Sequence, residues 1–133
     1  MGRTIGAIFA GLATWVVVAS LLSLTARFGW PGYAEAEPNR QYDMAMLIAR
    51  LMSGAVATLV AGAVVGRLAG NGSKALPVAA FLIFAVSLAD HVRIWDQYPA
   101  WYHLVYLGYL IPLTLLGGRL VGRRRINVLG VST

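Results

Sequence analysis

The amino-acid sequence predicts an all-α fold, a four-helix transmembrane bundle whose two termini both lie in the cytoplasm. Three observations predict this fold: four long apolar stretches, a shortage of charged residues, and basic residues that collect at one end of the stretches. Of the 133 residues, 59% are hydrophobic and 12% are charged, whereas about 25% of a typical soluble chain is charged. A soluble protein of this size needs more polar residues to cover its surface, so we expect lipid to surround this chain as a single domain, residues 1–133.

The four apolar stretches are each long enough to cross a bilayer. A membrane helix needs about 20 mostly apolar residues to cross roughly 30 Å of hydrocarbon. Segments rich in Gly, Pro and Asn separate the stretches, as is typical of turns. Only helices and closed barrels satisfy the backbone in lipid, and no strand-like alternation persists over these lengths. We therefore predict helical spans at residues 4–26, 43–67, 75–95 and 101–121.

The distribution of Arg and Lys indicates the orientation of the spans. One end carries no acidic residue, and the other carries all five acids with the remaining Arg residues. The first end holds Arg3, Arg67, Lys74, Arg119, Arg123, Arg124 and Arg125. Because short cytoplasmic loops are enriched in Lys and Arg, this end is predicted to be cytoplasmic. Residues 28–42 then form an extracytoplasmic loop, and residues 122–133 form a basic cytoplasmic tail.

Two charged residues, Arg50 and Asp90, are predicted to lie within the membrane. The apolar segment after Arg50 has 16 residues and the one before Asp90 has 15, about 24 and 22 Å of helix. Neither segment crosses roughly 30 Å unless the helix continues past its charge. We predict a polar intramembrane cluster of Arg50, Asp90, His91 and Tyr106, with an ion pair between the two charged residues. The alternative for Arg50 is that its long side chain reaches the headgroups alone.

A dense group of polar and aromatic residues surrounds this cluster, and three interpretations of it remain. The first, which we favour, is an interfacial belt, since Trp and Tyr are enriched at headgroup level. The second is a metal site from His91 and His103 with an acid, although their spacing matches no recognised ligand pattern. The third is a proton-relay or ligand site at Asp90 and His91. The residues assigned to the interface are Arg93, Trp95, Asp96, Trp101 and His103.

Aromatic residues are also distributed unequally between the two ends. Trp and Tyr of the loops and span ends all fall at the predicted outer end, and the basic end has neither residue. We expect the two extracytoplasmic loops to fold together as an aromatic cap over the bundle, which would shield the region of Arg50 and Asp90 or present a docking surface. Long loops in compact proteins are usually functional.

Small residues recur every four positions along the second span. Gly54, Thr58, Gly62 and Gly66 share one helix face, which lets a neighbouring helix approach the backbone closely. We interpret this stripe as a helix-packing surface within one chain, and a dimer seam is the alternative.

No catalytic motif stands out in the sequence. It has no nucleotide-binding loop, nucleophile elbow, zincin or haem-attachment pattern, so we predict no catalytic residue, metal or cofactor. Small multidrug transporters have a similar size and four spans, but they depend on a carboxylate in the centre of the first helix, and residues 5–24 contain no acid.

We expect a non-enzymatic accessory or structural membrane subunit of the bacterial cytoplasmic membrane. Its expected partners are the lipid bilayer and either further copies of itself or a larger membrane complex, and nucleic acid is not expected. The alternative is a small oligomeric transporter or channel that uses Arg50, Asp90 and His91 near its outer mouth. A more distant alternative is a membrane enzyme acting through His91 and His103.

Overall fold

The computed structural model describes the backbone of residues 1–70 and 72–128 and the side chains as far as residue 121. Every regular element in this part of the chain is helical. In chain order they are α1 (Gly2–Gly29), α2 (Tyr33–Ala36), α3 (Met44–Ala69), α4 (Ala75–Arg93) and α5 (Ala100–Val128), with a 3₁₀ turn at Trp95–Gln97 before α5. Helices α1, α3, α4 and α5 are long and apolar enough to cross a membrane. The predicted four-helix bundle is confirmed, and the protein is a multi-pass membrane protein.

The residues at which the helices begin and end are set by local side-chain and backbone contacts and not by the limits of the apolar stretches. Asp43 caps α3, because its carboxylate accepts a hydrogen bond from the backbone N–H of Met46 at 2.8 Å, which satisfies a free donor of the first turn. Helix α4 ends at Arg93, two residues earlier than predicted. Ile94 is the C-cap, and a 3₁₀ turn begins at Trp95. Helix α5 continues to Val128, so the predicted tail begins as helix, and residues 129–133 lie outside the described residues.

The four long helices do not pack in simple chain order. Helix α3 packs most extensively against α5 and α1, and α5 also packs against α4. Successive spans run in opposite directions, so α3 and α5 run parallel to each other. The ring order is therefore α1, α3, α5 and α4, and α5 is the main neighbour of both α3 and α4.

A seam of small residues joins α3 to α5. A Cβ atom at Gly62 would overlap the backbone carbonyl of Thr114, and one at Gly66 would lie 2.6 Å from the carbonyl oxygen of Gly118. Thr58, in the same stripe, is fully buried. The two backbones are thus in direct contact, which small residues permit in membrane helices. The stripe that includes Gly54 faces α5 of its own chain.

The two ends of the bundle differ in composition. The basic end carries exposed Arg119, and Nε of Arg3 donates a hydrogen bond of 2.7 Å to the carbonyl of Leu68. This contact joins the start of α1 to the last turn of α3. The opposite end is the aromatic end. It contains the segments 30–43 and 94–99, and these position the candidate site.

Candidate functional site

Arg50 lies on α3 near the aromatic end and is surrounded by tyrosines. Its Nη1 donates hydrogen bonds to the hydroxyl oxygens of Tyr33 at 3.1 Å and Tyr42 at 3.4 Å. The guanidinium carbon lies 4.7 Å from the ring centre of Tyr42 and 5.8 Å from that of Tyr98. Aromatic faces attract a cation at these distances. Phenol rings from both loops therefore stabilise the charge in place of water.

These tyrosines form an aromatic cap over the end of the bundle. The rings of Tyr42 and Tyr98 are stacked at 6.1 Å, and those of Tyr33 and Tyr42 lie 5.2 Å apart. Gly32 precedes Tyr33 with φ of +84°, a conformation that glycine adopts without strain. The expected contact between the two loops is confirmed. Burial raises the pKa of Tyr42 to about 12 and also raises the pKa of Tyr98, so both phenols stay neutral at physiological pH.

The expected ion pair between Arg50 and Asp90 is not formed. Within residues 1–70 and 72–121, the one ion pair joins Nε of Arg27 to Glu37 at 3.1 Å. The Asp90 side chain is exposed, whereas the next residue, His91, is buried. Because successive helical residues point about 100° apart and α5 is the main neighbour of both α3 and α4, Asp90 points away from Arg50. The cap shields Arg50 and not Asp90.

Two buried histidines contact each other at the aromatic end of the bundle, where α4 ends and α5 begins. Nδ1 of His91 lies 2.7 Å from Nδ1 of His103, and Nε2 of His103 lies 3.1 Å from the backbone carbonyl oxygen of Trp95. A carbonyl only accepts, so His103 carries its proton on Nε2 and presents a lone pair at Nδ1. His91 must then donate from Nδ1, which leaves a lone pair on its Nε2. Among the described residues, this Nε2 has no hydrogen-bond partner.

Stacked rings continue from the histidines into the bundle. The ring of Tyr106 stacks on His91 at 4.5 Å, and that of Trp95 stacks on His103 at 4.5 Å. Deeper, the hydroxyl of Tyr109 donates a 2.7 Å hydrogen bond to the carbonyl of Leu51. This arrangement needs Gly54 on α3, where a Cβ atom would lie 2.6 Å from the Tyr106 ring. Polar aromatic side chains thus follow one another from the aromatic cap to the middle of the bundle.

The residues assigned to the interface separate into two groups. Arg93, Trp95, Asp96 and Trp101 are exposed at the aromatic end, where a belt would need them. His103, in contrast, is fully buried, because it follows the turn and faces inward from the first turn of α5. The prediction also omitted Tyr33 and Tyr98 from the site, although the concentration of aromatic residues at one end was a signal for them.

Two hollows adjoin this site. One, of about 130 Å³, lies between α1, α3 and α5 and is lined by Arg50, Tyr33, Tyr102 and Tyr106, among others. The other, a cleft of about 470 Å³ between α1 and α4, is lined by Trp15, Asp90 and His91. The first offers hydrogen-bond donors and a positive charge, and the second is bordered by His91 with its free lone pair.

The side-chain chemistry does not form a metal centre. Among the described residues, no group of three or more His and acidic side chains could hold a metal ion. No family model, curated protein or solved structure matches this chain. The geometry of the site is therefore the basis for a functional proposal.

Proposed function

We propose that this protein is a non-enzymatic accessory or structural subunit of the bacterial cytoplasmic membrane, with both termini in the cytoplasm. One observation carries the proposal: the tyrosines, the two histidines and Arg50 lie in the half of the bundle opposite the basic end, whereas in the described part of the basic half the backbones of α3 and α5 are in contact. A site placed in this way is presented to one side of the membrane.

The described part of the basic half is formed mainly by backbone contact and apolar side chains. At Gly62 and Gly66 the backbones of α3 and α5 touch, and the buried side chains of Ala7, Val65, Ala75 and Ala79 pack together nearby. A conducting path needs polar or water-accessible groups along its length. The series of polar rings ends near Tyr109, and the hydroxyls of buried Thr58 and Thr114 donate to carbonyls of their own helices. The described part of the basic half therefore offers no continuous polar lining within one protomer.

The orientation is supported by the charges at the ends of the helices. Arg3, Arg67, Lys74 and Arg119 belong to the same end of the bundle, and short cytoplasmic loops favour such residues. The aromatic cap, the histidine pair and the Arg50 cavity then face the outer side. They are available there to a partner protein or to a ligand.

The alternative function is a small oligomeric transporter. The observation that favours it is the histidine pair, because hydrogen-bonded His side chains at membrane depth can pass protons. In that case the conducting path would lie between protomers, because α3 and α5 are in backbone contact in the basic half of each one.

Orientation can be tested with single cysteines, because the chain contains none. We expect Asp96→Cys to react with an impermeant maleimide on intact cells, and Ser73→Cys to react only after the cells are permeabilised. Labelling of Ser73→Cys in intact cells would contradict the orientation.

If the protein is an accessory subunit, it should bind a partner and should not conduct protons or anions. Crosslinking in native membranes should capture a homo-oligomer or a co-purifying membrane protein. Proteoliposomes of the purified protein should show the same proton and anion flux as protein-free liposomes. A flux above that level, lost in His91→Phe, would favour the transporter instead.

A further inference from the structure

The positive charge of Arg50 has no carboxylate partner. All five acidic residues lie in the described part of the chain, so each can be located. Glu37 pairs with Arg27, Asp43 caps α3, and the other three, Glu35, Asp90 and Asp96, have exposed side chains. Charges within membrane helices are normally paired. No acidic side chain of the same chain therefore neutralises the charge of Arg50.

One edge of the Arg50 guanidinium is also free. Nη1 is used for Tyr33 and Tyr42, whereas Nε is buried and has no hydrogen-bond partner. Nη2 likewise makes no hydrogen bond to the described residues. The Nε and Nη2 donors point in parallel from the planar group, a geometry that matches two oxygens of a carboxylate or phosphate.

The cavity beside Arg50 supplies the space and further donors. Its volume of about 130 Å³ is room for several water molecules or for an anionic group of a few heavy atoms. Hydroxyl-bearing side chains line it together with Arg50, and none of the lining residues is acidic. These hydroxyls belong to Ser23, Ser53, Tyr33, Tyr102 and Tyr106. The Ser53 hydroxyl already donates to the carbonyl of Ala49, so the further donors are the other four.

We propose that this cavity binds one oxyanion group, a carboxylate or a phosphate, on the free edge of Arg50. The group supplies the missing negative charge and the acceptors that the buried Nε–H lacks. The proposal depends on side-chain geometry alone and is independent of the accessory role and of the orientation.

A groove on the side of α1 adjoins the cavity. It has a volume of about 390 Å³, shares Ala19 and Ser23 with the cavity, and ends at Arg27 and Glu37. A free small anion or the phosphate of a membrane lipid can approach along it. Both sources offer the same chemistry to Arg50, and they differ in whether the group carries acyl chains.

The experiment is a binding titration of the purified full-length protein in lipid-free detergent. The probes are acetate, inorganic phosphate and a short-chain phosphatidate, each at constant ionic strength, with isothermal calorimetry and the thermal midpoint as readouts. We expect saturable binding of at least one probe, and Arg50→Gln should weaken it by about tenfold or more, in line with the strength of a charge-assisted bidentate pair. Arg93→Gln, which changes an exposed Arg of α4, should bind as the wild type does.

A second pair of variants keeps the test independent of the folding of Arg50→Gln. Ala19→Leu fills the cavity from α1 and leaves Arg50 in place, whereas Ala13→Leu makes the same change on the exposed face of that helix. Ala19→Leu should lose the binding and Ala13→Leu should keep it. Binding of acetate or phosphate identifies a free anion, and binding of the phosphatidate alone identifies a lipid headgroup. No saturable binding of any probe, or binding unchanged in both Arg50→Gln and Ala19→Leu, would overturn the proposal.

Discussion

The Nδ1 atoms of His91 and His103 lie 2.7 Å apart, and the Trp95 carbonyl beside them determines which ring donates. Only one of two facing Nδ1 atoms can carry a proton in a neutral pair. The turn at Trp95–Gln97 therefore sets the tautomers of both histidines, although it contacts only His103 directly.

This arrangement predicts different tautomers for the two histidines. His91 should carry its proton on Nδ1 and His103 on Nε2, which ¹⁵N NMR of labelled protein distinguishes by the shifts of the ring nitrogens. In His103→Phe, the Nδ1–H of His91 loses its acceptor, and the free energy of unfolding should fall by about 1–3 kcal/mol, the cost of a buried donor left unpaired. A proton found on Nε2 of His91 in the wild type would contradict the assignment.

The backbone contact between α3 and α5 predicts that alanine substitutions at two glycines change the free energy of unfolding very differently. Gly62→Ala should lower the free energy of unfolding by about 1–3 kcal/mol, because its methyl group meets the backbone of Thr114 and the helices must separate. Gly108→Ala is the control, since nothing lies within 4 Å of a Cβ atom there. That change should be neutral or stabilising, as alanine is the better helix former. Equal effects in an SDS unfolding titration would argue against the seam.

Double-mutant cycles distinguish the real partner of Arg50 from the expected one. Arg50→Gln and Tyr33→Phe should be coupled by about 0.5–3 kcal/mol, because the two side chains share a hydrogen bond. Arg50→Gln and Asp90→Asn should be additive within about 0.5 kcal/mol. A coupling to Asp90 as large as that to Tyr33 would show that the ion pair forms after all.

The cap should weaken at high pH. The pKa of Tyr42 is about 12 in the folded protein against an ordinary value of 10.0, so the folded state keeps this proton when the unfolded state has lost it. The contribution is therefore fully present below pH 10 and is lost as the pH rises toward 12. Unfolding measured across this range should show a smaller decline in Tyr42→Phe than in the wild type. Identical declines would mean that Tyr42 titrates normally.

The sequence was sufficient to predict the fold because the bilayer imposes a length on each helix. Apolar stretches of about 20 residues have few other solutions in lipid. The ends were less predictable, since α4 stops where the turn at Trp95–Gln97 begins. Such a turn depends on its side-chain and backbone contacts, and these are invisible to a hydropathy pattern.

Some members of the site were predictable from the sequence, namely Arg50, His91 and Tyr106, but Tyr33, Tyr98 and the pairings of the side chains were not. Arg50 and His91 stand out in the sequence because charged and polar groups are rare at that depth of a membrane. Their partners depend on the order of helices around the bundle. The packing of α4 against α5 brings Tyr106 next to His91, and Asp90 lies on an exposed side of α4. The twelve-residue spacing of His91 and His103 allowed a meeting, but only the fold determines that both are buried.

The backbone contact between α3 and α5 also determines which wall of the Arg50 cavity is able to shift. Arg50 and its facing rings Tyr102 and Tyr106 belong to these two helices, which are held together by that contact. The remaining walls are Tyr33 of α2 and the last turns of α1, and α1 is tied to the segment after α2 by Arg27 and Glu37, a surface pair worth less than about 1 kcal/mol. Because α1 also packs closely against α3 at Gly11 and Val65, only its last turns beside the cavity depend on this weak pair, and these turns form the wall past which an anion would enter or leave.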